Sequence, residues 1–226
     1  MNIIKNFISD SLIFDINQIF TDNKHLFNCK KSHKINYINL YHKDWSKDNK
    51  YDNFINKLLL ESKSIDNSFI DYDLHYFGFI QSYPNCDDQH FHIDYFGQSI
   101  TYFIPLTELT DLNGTEYLLD IDNKISHKIL LSISNKYINR YEIIKELRNY
   151  NFKFKYANAN KYSLIELPSN VLHRGRKNET NVNRIMFQMI FTKKGSNIDI
   201  MSDHFINDAE LDDKNKDLIL ENRKSF

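Results

Sequence analysis

The sequence predicts a mainly β protein with flanking helices, its core a sandwich or barrel. One observation carries that expectation, and a second marks where the backbone is constrained. From Asp73 to about Phe191, short apolar runs alternate with turn residues, the texture of brief strands joined by tight connections. Glycine is scarce, five in 226 residues, so each one marks a backbone need. Gly97, Gly114 and Gly175 all fall inside this region.

Taken in order, residues 1–70 read as mixed, helix-leaning support. Ser11 to Phe20 mixes strand and helix periods. Asp52 to Lys63 is a clearer helix, with Phe54, Leu58 and Leu59 on one face and Asp52 as N-cap. Trp45, between charged residues, reads as a half-buried anchor. The expected strands are Leu74–Gln81, Gln89–Asp94, Ser99–Leu106, Tyr117–Ile121, Phe152–Tyr156, Tyr162–Leu167 and Arg184–Phe191. A helix over Asn139–Asn149, with Ile143, Ile144 and Leu147 at helical spacing, interrupts one connection. The tail from 197 to 226 is charged, with a helical patch at Ala209–Leu220. At 27.1 kDa the chain is expected to form one domain over 1–226, its core at about 73–192.

Composition narrows the function. Lys and Arg total 29 against 30 Asp and Glu, so no basic excess meets a phosphate backbone, and nucleic acid is not an expected partner. Cys29 and Cys86 have neither the number nor the spacing of a disulfide framework or zinc knuckle. No run approaches a membrane span, and Met1–Asn6 lacks a secretory h-region. A cytoplasmic protein is the expectation.

The chemistry centres on Gln89-His90-Phe91-His92-Ile93-Asp94. On a strand, alternate side chains share a face, so His92 and Asp94 stand about 7 Å apart at Cα and can reach one small cation. Imidazole with carboxylate is the ligand set of non-haem Fe(II) once a second imidazole arrives. His173, in Leu172-His173-Arg174-Gly175, is the well-placed candidate, and Arg184 follows eleven residues later.

Together, His92-Ile93-Asp94, the run Ile100–Leu106 leading into Asn113-Gly114-Thr115-Glu116, His173-Arg174-Gly175 and Arg184 resemble the phytanoyl-CoA dioxygenase-like family. The resemblance covers roughly residues 75–192. It implies a double-stranded β-helix (jelly-roll, cupin-like) core and an Fe(II)- and 2-oxoglutarate-dependent dioxygenase that consumes O2. Iron would be held by His92, Asp94 and His173. Arg184 would grip the distal carboxylate of 2-oxoglutarate, for which its planar fork suits two parallel hydrogen bonds. Charge agrees: Fe²⁺, Asp94⁻, Arg184⁺ and 2-oxoglutarate²⁻ sum to zero. Strand alternation sets Arg184, Met186, Gln188 and Ile190 toward the barrel interior and Ile185, Phe187, Met189 and Phe191 outward.

The resemblance also places Phe103 and Thr101 near the co-substrate, with Gln81 and Tyr83 as further carboxylate contacts. His90 would rim the site, and Tyr95 and Phe96 would wall the pocket. Arg174 would either lie on the surface or bind an acidic substrate group. The family's frequent Gly-Ser-His after the Asn-Gly strand is replaced here by Leu119-Asp120-Ile121-Asp122. Related halogenases carry a small residue where Asp94 stands, so hydroxylation of a C–H bond, on a small molecule or a protein side chain, is the expected outcome. Two alternatives stay open from the residues alone: a cupin-like isomerase, lyase or hydrolase that keeps the metal without 2-oxoglutarate, and a non-catalytic barrel used for binding.

Overall fold

Residues 2–4, 8–27, 35–43, 49–65, 70–94, 98–134, 136–168 and 171–196 are described by the computed structural model. They form β1 (Asn2–Ile4), α1 (Asp10–Asn23), β2 (Ile35–His42), α2 (Asp52–Ile65), β3 (Tyr72–Ser82), β4 (Ser99–Pro105), β5 (Thr115–Asp120), α3 (His127–Ile133), α4 (Arg140–Glu146), β6 (Phe152–Ala157), β7 (Leu164–Pro168), β8 (His173–Gly175) and β9 (Arg184–Lys193). The larger sheet has the order β1-β7-β4-β9-β3-β2 and the smaller β6-β5-β8. His92 adds to the smaller sheet through an antiparallel bridge to His173. Two facing sheets result, β3-β9-β4-β7 against His92-β8-β5-β6, with the chain passing back and forth between them. That is a double-stranded β-helix, as the resemblance implied.

The strand expectations hold at β3, β4, β5, β6, β7 and β9 to within a few residues at each end. Three differences bear on the site. Gln89–Asp94 makes one bridge at His92 in place of a strand. β8 is a three-residue strand too short to read from periodicity. Within the helix-leaning stretch lies an eight-residue strand, β2, paired along β3. Its two faces are both covered, Ile38 and Leu40 by helices and Tyr37 by the barrel interior, so no polar alternation betrays it. Trp45, Tyr95, Phe96 and the tail beyond residue 196 lie outside the described residues.

Local chemistry explains the helices. Ser9 caps α1 by accepting from the Leu12 N–H at 3.1 Å, and Asn139 caps α4 by accepting from Glu142 at 3.1 Å. α2 begins at Asp52, the residue expected to cap it. Leu12 and Ile16 of α1 and Phe54 and Leu58 of α2 pack on the outer face of the larger sheet, against Phe77, Phe79, Tyr102, Phe187 and Phe191. The rings of Phe79 and Phe187 meet at 5.1 Å and those of Phe54 and Phe77 at 5.4 Å. Each such ring contributes roughly 1.5–3 kcal/mol through burial.

α3 and α4 cover the smaller sheet, packing Leu130, Ile133, Ile143 and Leu147 against Phe91, Leu118 and Leu172. Both outer faces are thereby sealed. The inner face of the larger sheet carries a third cluster that includes Ile80, Phe103, Ile165, Leu167 and Met186. The expected partition of β9 follows: Phe187, Met189 and Phe191 face the helices, and Met186 faces inward. No helix among the described residues is long and apolar enough to cross a membrane.

At the far end of β2, His42 and His75 are buried with ring centroids 4.5 Å apart. Burial, with the His75 ring beside it, lowers the His42 imidazole from 6.5 to about 3. Unfolded, the same group titrates at its ordinary value, so the unfolded chain binds more protons between pH 6.5 and 3. The contribution is therefore complete above about pH 6.5 and lost as the pH falls toward 3, with a slope of at most about 1.4 kcal/mol per pH unit. Urea midpoints at pH 7 and pH 5 should fall more steeply for the wild type than for His42→Gln. Equal slopes would contradict this account.

Candidate metal centre

His92, Asp94 and His173 each offer a ligand atom, and the three atoms lie within 4.8 Å of one another. The Asp94 carboxylate Oδ1 is 3.5 Å from His92 Nε2 and 3.4 Å from His173 Nε2. The bridge between the two histidine backbones, with His92 N–H donating to His173 O at 2.7 Å and His173 N–H to His92 O at 2.9 Å, brings the imidazoles side by side. Asp94 follows in a bend, and its carboxylate turns back to both rings.

Both imidazoles are oriented in the same way. His92 Nδ1 lies 2.8 Å from His90 O, and His173 Nδ1 lies 3.0 Å from Val171 O. A carbonyl only accepts, so Nδ1 carries the proton and the Nε2 lone pair points at the centre. Backbone carbonyls fix the tautomer of metal-bound histidines in this manner. Asp94 Oδ2 is buried and has no hydrogen-bond partner. Ligand atoms at about 2.1 Å from a divalent first-row ion in neighbouring coordination positions stand roughly 3 Å apart, close to the spacing observed. The donor set therefore fits such an ion.

Electrostatics agree. Burial works to raise the Asp94 carboxyl, but His173 and His92 outweigh it and hold Asp94 well below the usual carboxylate range. Burial works to lower the His92 imidazole, and the Asp94 carboxylate more than offsets this and raises it. Asp94 is thus an anion in place for a cation.

Arg184 begins β9, and 1% of its surface is exposed. Nη1 donates to Asn113 O at 2.6 Å and to Arg176 O at 3.1 Å, and Nη2 donates to Ser82 Oγ at 2.7 Å. Nε is buried and has no hydrogen-bond partner. No carboxylate pairs with the guanidinium among the described residues; Asp88, whose field reaches it, is committed to Arg174 at 3.2 Å. Burial lowers the Arg184 guanidinium below its ordinary value.

The flanking glycines now acquire reasons. A Cβ on Gly175 would stand 2.8 Å from Arg184 Nη2 and 2.5 Å from Gln89 Oε1, so any larger residue would displace the guanidinium. A Cβ on Gly114 would stand 2.7 Å from Thr110 O, in the tight turn whose Asn113 carbonyl receives Arg184.

Phe103 and Thr101 project inward from β4, where their register partners include Gln188 and Ile190 of β9. Thr101 Oγ1 is buried and has no hydrogen-bond partner. Gln81 departs from expectation. It stands opposite Ile185, which packs with the helix-facing cluster, so alternation turns Gln81 to the outer face. The adjacent Ser82 reaches Arg184 in its place. Tyr83 lies just past β3, in a turn closed by Cys86 N–H donating to Tyr83 O at 3.1 Å. His90 is exposed, and its contribution to the centre is its backbone carbonyl.

Arg174 is neither on the surface nor turned into the barrel. It is buried on the outer face of the smaller sheet, where Nε donates to Glu116 Oε2 at 2.7 Å and the guanidinium stacks 4.5 Å from the Phe91 ring. Arg140 bonds the other oxygen of Glu116, a residue with 0% exposure. The ion cluster ties β5, β8 and α4 together.

Two polar residues of the interior escaped the sequence reading. Tyr37 of β2 faces the barrel, and burial pushes its phenol up to about 12 with Arg184 and Asp94 both in electrostatic range. Gln89 donates to the Tyr37 hydroxyl and accepts from the Gly175 N–H at 2.7 Å. The signal for Gln89 was its place at the head of the His-x-Asp segment. Tyr37 had none, because its strand was not foreseen.

No family model matches the sequence, and no curated protein does. Solved structures do match in fold. The non-haem 2-oxoglutarate-dependent carbocyclase SnoK from nogalamycin biosynthesis aligns with TM-score 0.58 at 9% identity, over 84% of this chain and 78% of that one. The epimerase SnoN from the same pathway gives 0.59 at 7% identity, over 88% and 87%. HygX from Streptomyces hygroscopicus, with nickel and 2-oxoglutarate bound, gives 0.54 at 8%, over 85% and 82%. At such identities the likeness is one of fold. The chain thus has a double-stranded β-helix fold that these non-haem 2-oxoglutarate-dependent enzymes share, with a His-Asp-His cluster of its own.

Proposed function

We propose that the protein is an Fe(II)- and 2-oxoglutarate-dependent dioxygenase that hydroxylates a C–H bond of a small molecule or a protein side chain. The observation that carries this reading is Arg184: a guanidinium buried to 1% exposure, without a carboxylate partner among the described residues, in the same barrel as a His-Asp-His cluster. A buried unpaired cation is costly, and the distal carboxylate of 2-oxoglutarate is the group that would neutralise it. A cupin-like enzyme working without 2-oxoglutarate would leave this charge without an anion to neutralise it. The narrower tie to phytanoyl-CoA dioxygenase-like enzymes rests on the motif residues.

His92, Asp94 and His173 would hold Fe(II), leaving coordination positions for a bidentate 2-oxo acid and O2. When bound, iron and 2-oxoglutarate supply the oxidising chemistry, with succinate and CO2 as co-products. The chain's own residues bind and orient. Arg184 would clamp the distal carboxylate, Ser82 would hold the guanidinium, and the Gln89–Tyr37 pair would present the phenol between Arg184 and the metal. Thr101, whose hydroxyl has no hydrogen-bond partner, and Phe103 would form the wall behind the co-substrate. SnoK and SnoN, a carbocyclase and an epimerase, indicate that one fold hosts several outcomes of this chemistry. Hydroxylation is the one proposed here.

Anaerobic addition of Fe(II) and then 2-oxoglutarate should give a visible charge-transfer band that saturates with 2-oxoglutarate. His92→Ala should abolish it, and His90→Ala should leave it intact, because only the carbonyl of residue 90 is used. Bound metal with no band would redirect the assignment to chemistry without 2-oxoglutarate.

Arg184→Lys loses the planar fork and should weaken 2-oxoglutarate binding by roughly 10- to 100-fold, the equivalent of one or two charge-assisted hydrogen bonds. Gly175→Ala crowds the guanidinium and should weaken it by about tenfold, taking one such bond as lost. Metal affinity, measured by calorimetry, should stay near wild type in both variants. Loss of metal and co-substrate together would mean that the two subsites are not separable as described.

A further inference from the structure

The smaller sheet has an inner and an outer face, and its edge strand β6 shows which is which. Phe152 and Phe154 pack with the α3–α4 cluster on the outside. Alternation therefore turns Lys153 and Lys155 to the inside, toward the barrel. Residues on a closed inner face would be buried, yet both lysines are exposed. Among the described residues, the inner face at β6 is thus solvent-accessible at both lysines. Neither ammonium has a carboxylate partner among the described residues, whereas Lys43, Lys57 and Lys177 are paired with Asp73, Asp15 and Glu179.

Register links this accessible face to the metal centre. Tyr117 of β5 stands directly opposite Lys155 on one side and His173 on the other. Lys153 pairs with Leu119, one step further from the Arg184 end, because Gly175, the neighbour of the guanidinium, stands opposite Thr115. From Arg184 outward the inner face therefore runs past the metal ligands to Tyr117 and then to the two lysines. Two interstrand spacings, about 10 Å, separate β8 from β6.

We infer that the substrate carries an anionic group, phosphate or carboxylate, which Lys153 and Lys155 receive at this accessible face while its reacting carbon lies at the metal. The inference rests on the oxygenase reading above and adds the substrate's charge. The anionic group would lie within roughly 10 Å of the oxidised position, with Tyr117 lining the path between them.

The test uses the protein loaded anaerobically with Co(II) and 2-oxoglutarate, both verified by absorption. Methylphosphonate is then titrated in while its phosphorus NMR relaxation is followed. The paramagnetic ion enhances relaxation only for a probe held near it. The wild type should show saturable enhancement, and Lys153→Ala/Lys155→Ala should weaken binding by about tenfold, as loss of a charge-assisted bond implies. Lys153→Arg/Lys155→Arg should retain it, and Lys145→Ala, on α4, should not alter it. No enhancement in the loaded wild type would overturn the inference while leaving the oxygenase reading intact. Enhancement that persists in the double alanine variant would overturn it as well, because the probe would then be reaching the metal directly. Aggregation of that variant with unchanged probe binding would also overturn it, assigning the lysines to protection of an edge strand. Failure to load Co(II) would overturn both readings together.

Discussion

The Arg184 guanidinium is the constraint on which the two sheets depend. A cation taken out of water must be compensated at close range, and here the compensation comes from both sides of the barrel. Ser82 of β3 belongs to the larger sheet, while the Asn113 carbonyl precedes β5 and the Arg176 carbonyl follows β8 of the smaller. The sheets cannot separate at this end without stranding a charge. Carbonyl and hydroxyl dipoles solvate the guanidinium but leave its net charge in place, and this makes the same residue structural and receptive.

The metal ligands are arranged on a complementary principle. They are carried by short backbone pieces, a bridge at His92 and a three-residue strand at His173, whose positions depend on each other through two reciprocal hydrogen bonds. Such short pieces need support from behind. The Glu116–Arg174–Arg140 cluster and the Phe91 ring provide it on the outer face. The sealed outside and the accessible inner face at β6 then follow from where the helices lie: α1 and α2 cover one sheet, α3 and α4 the other, and the inner face of β6 is left to solvent at both lysines.

Much of this was legible in the chain. Six of the seven expected strands form, the helix expected over Asp52 to Lys63 forms, and the inward face of β9 is as alternation requires, because these depend on local period. The misreadings have two causes, one of burial and one of strand face. β2 has both faces covered, so its apolar and polar residues do not alternate with depth. The resemblance implies a carboxylate contact at Gln81, but a one-residue step along a strand reverses the face, and Ser82 is the residue that reaches Arg184. Arg174 adjoins the metal ligand His173, and the same alternation sends it to the opposite side of the sheet and into an ion cluster.

What the sequence determined by itself was the donor chemistry: two imidazoles, one carboxylate and one arginine, in an order and spacing compatible with strands. These are properties of residue types and of neighbours a few positions apart. Only the tertiary structure decided that they converge. The bonds that seat Arg184 join residues 71 and 102 positions apart, and the bridge that sets His92 against His173 spans a comparable stretch of chain. Convergence over such separations is set by strand pairing and by the burial that drives it, which no local pattern encodes.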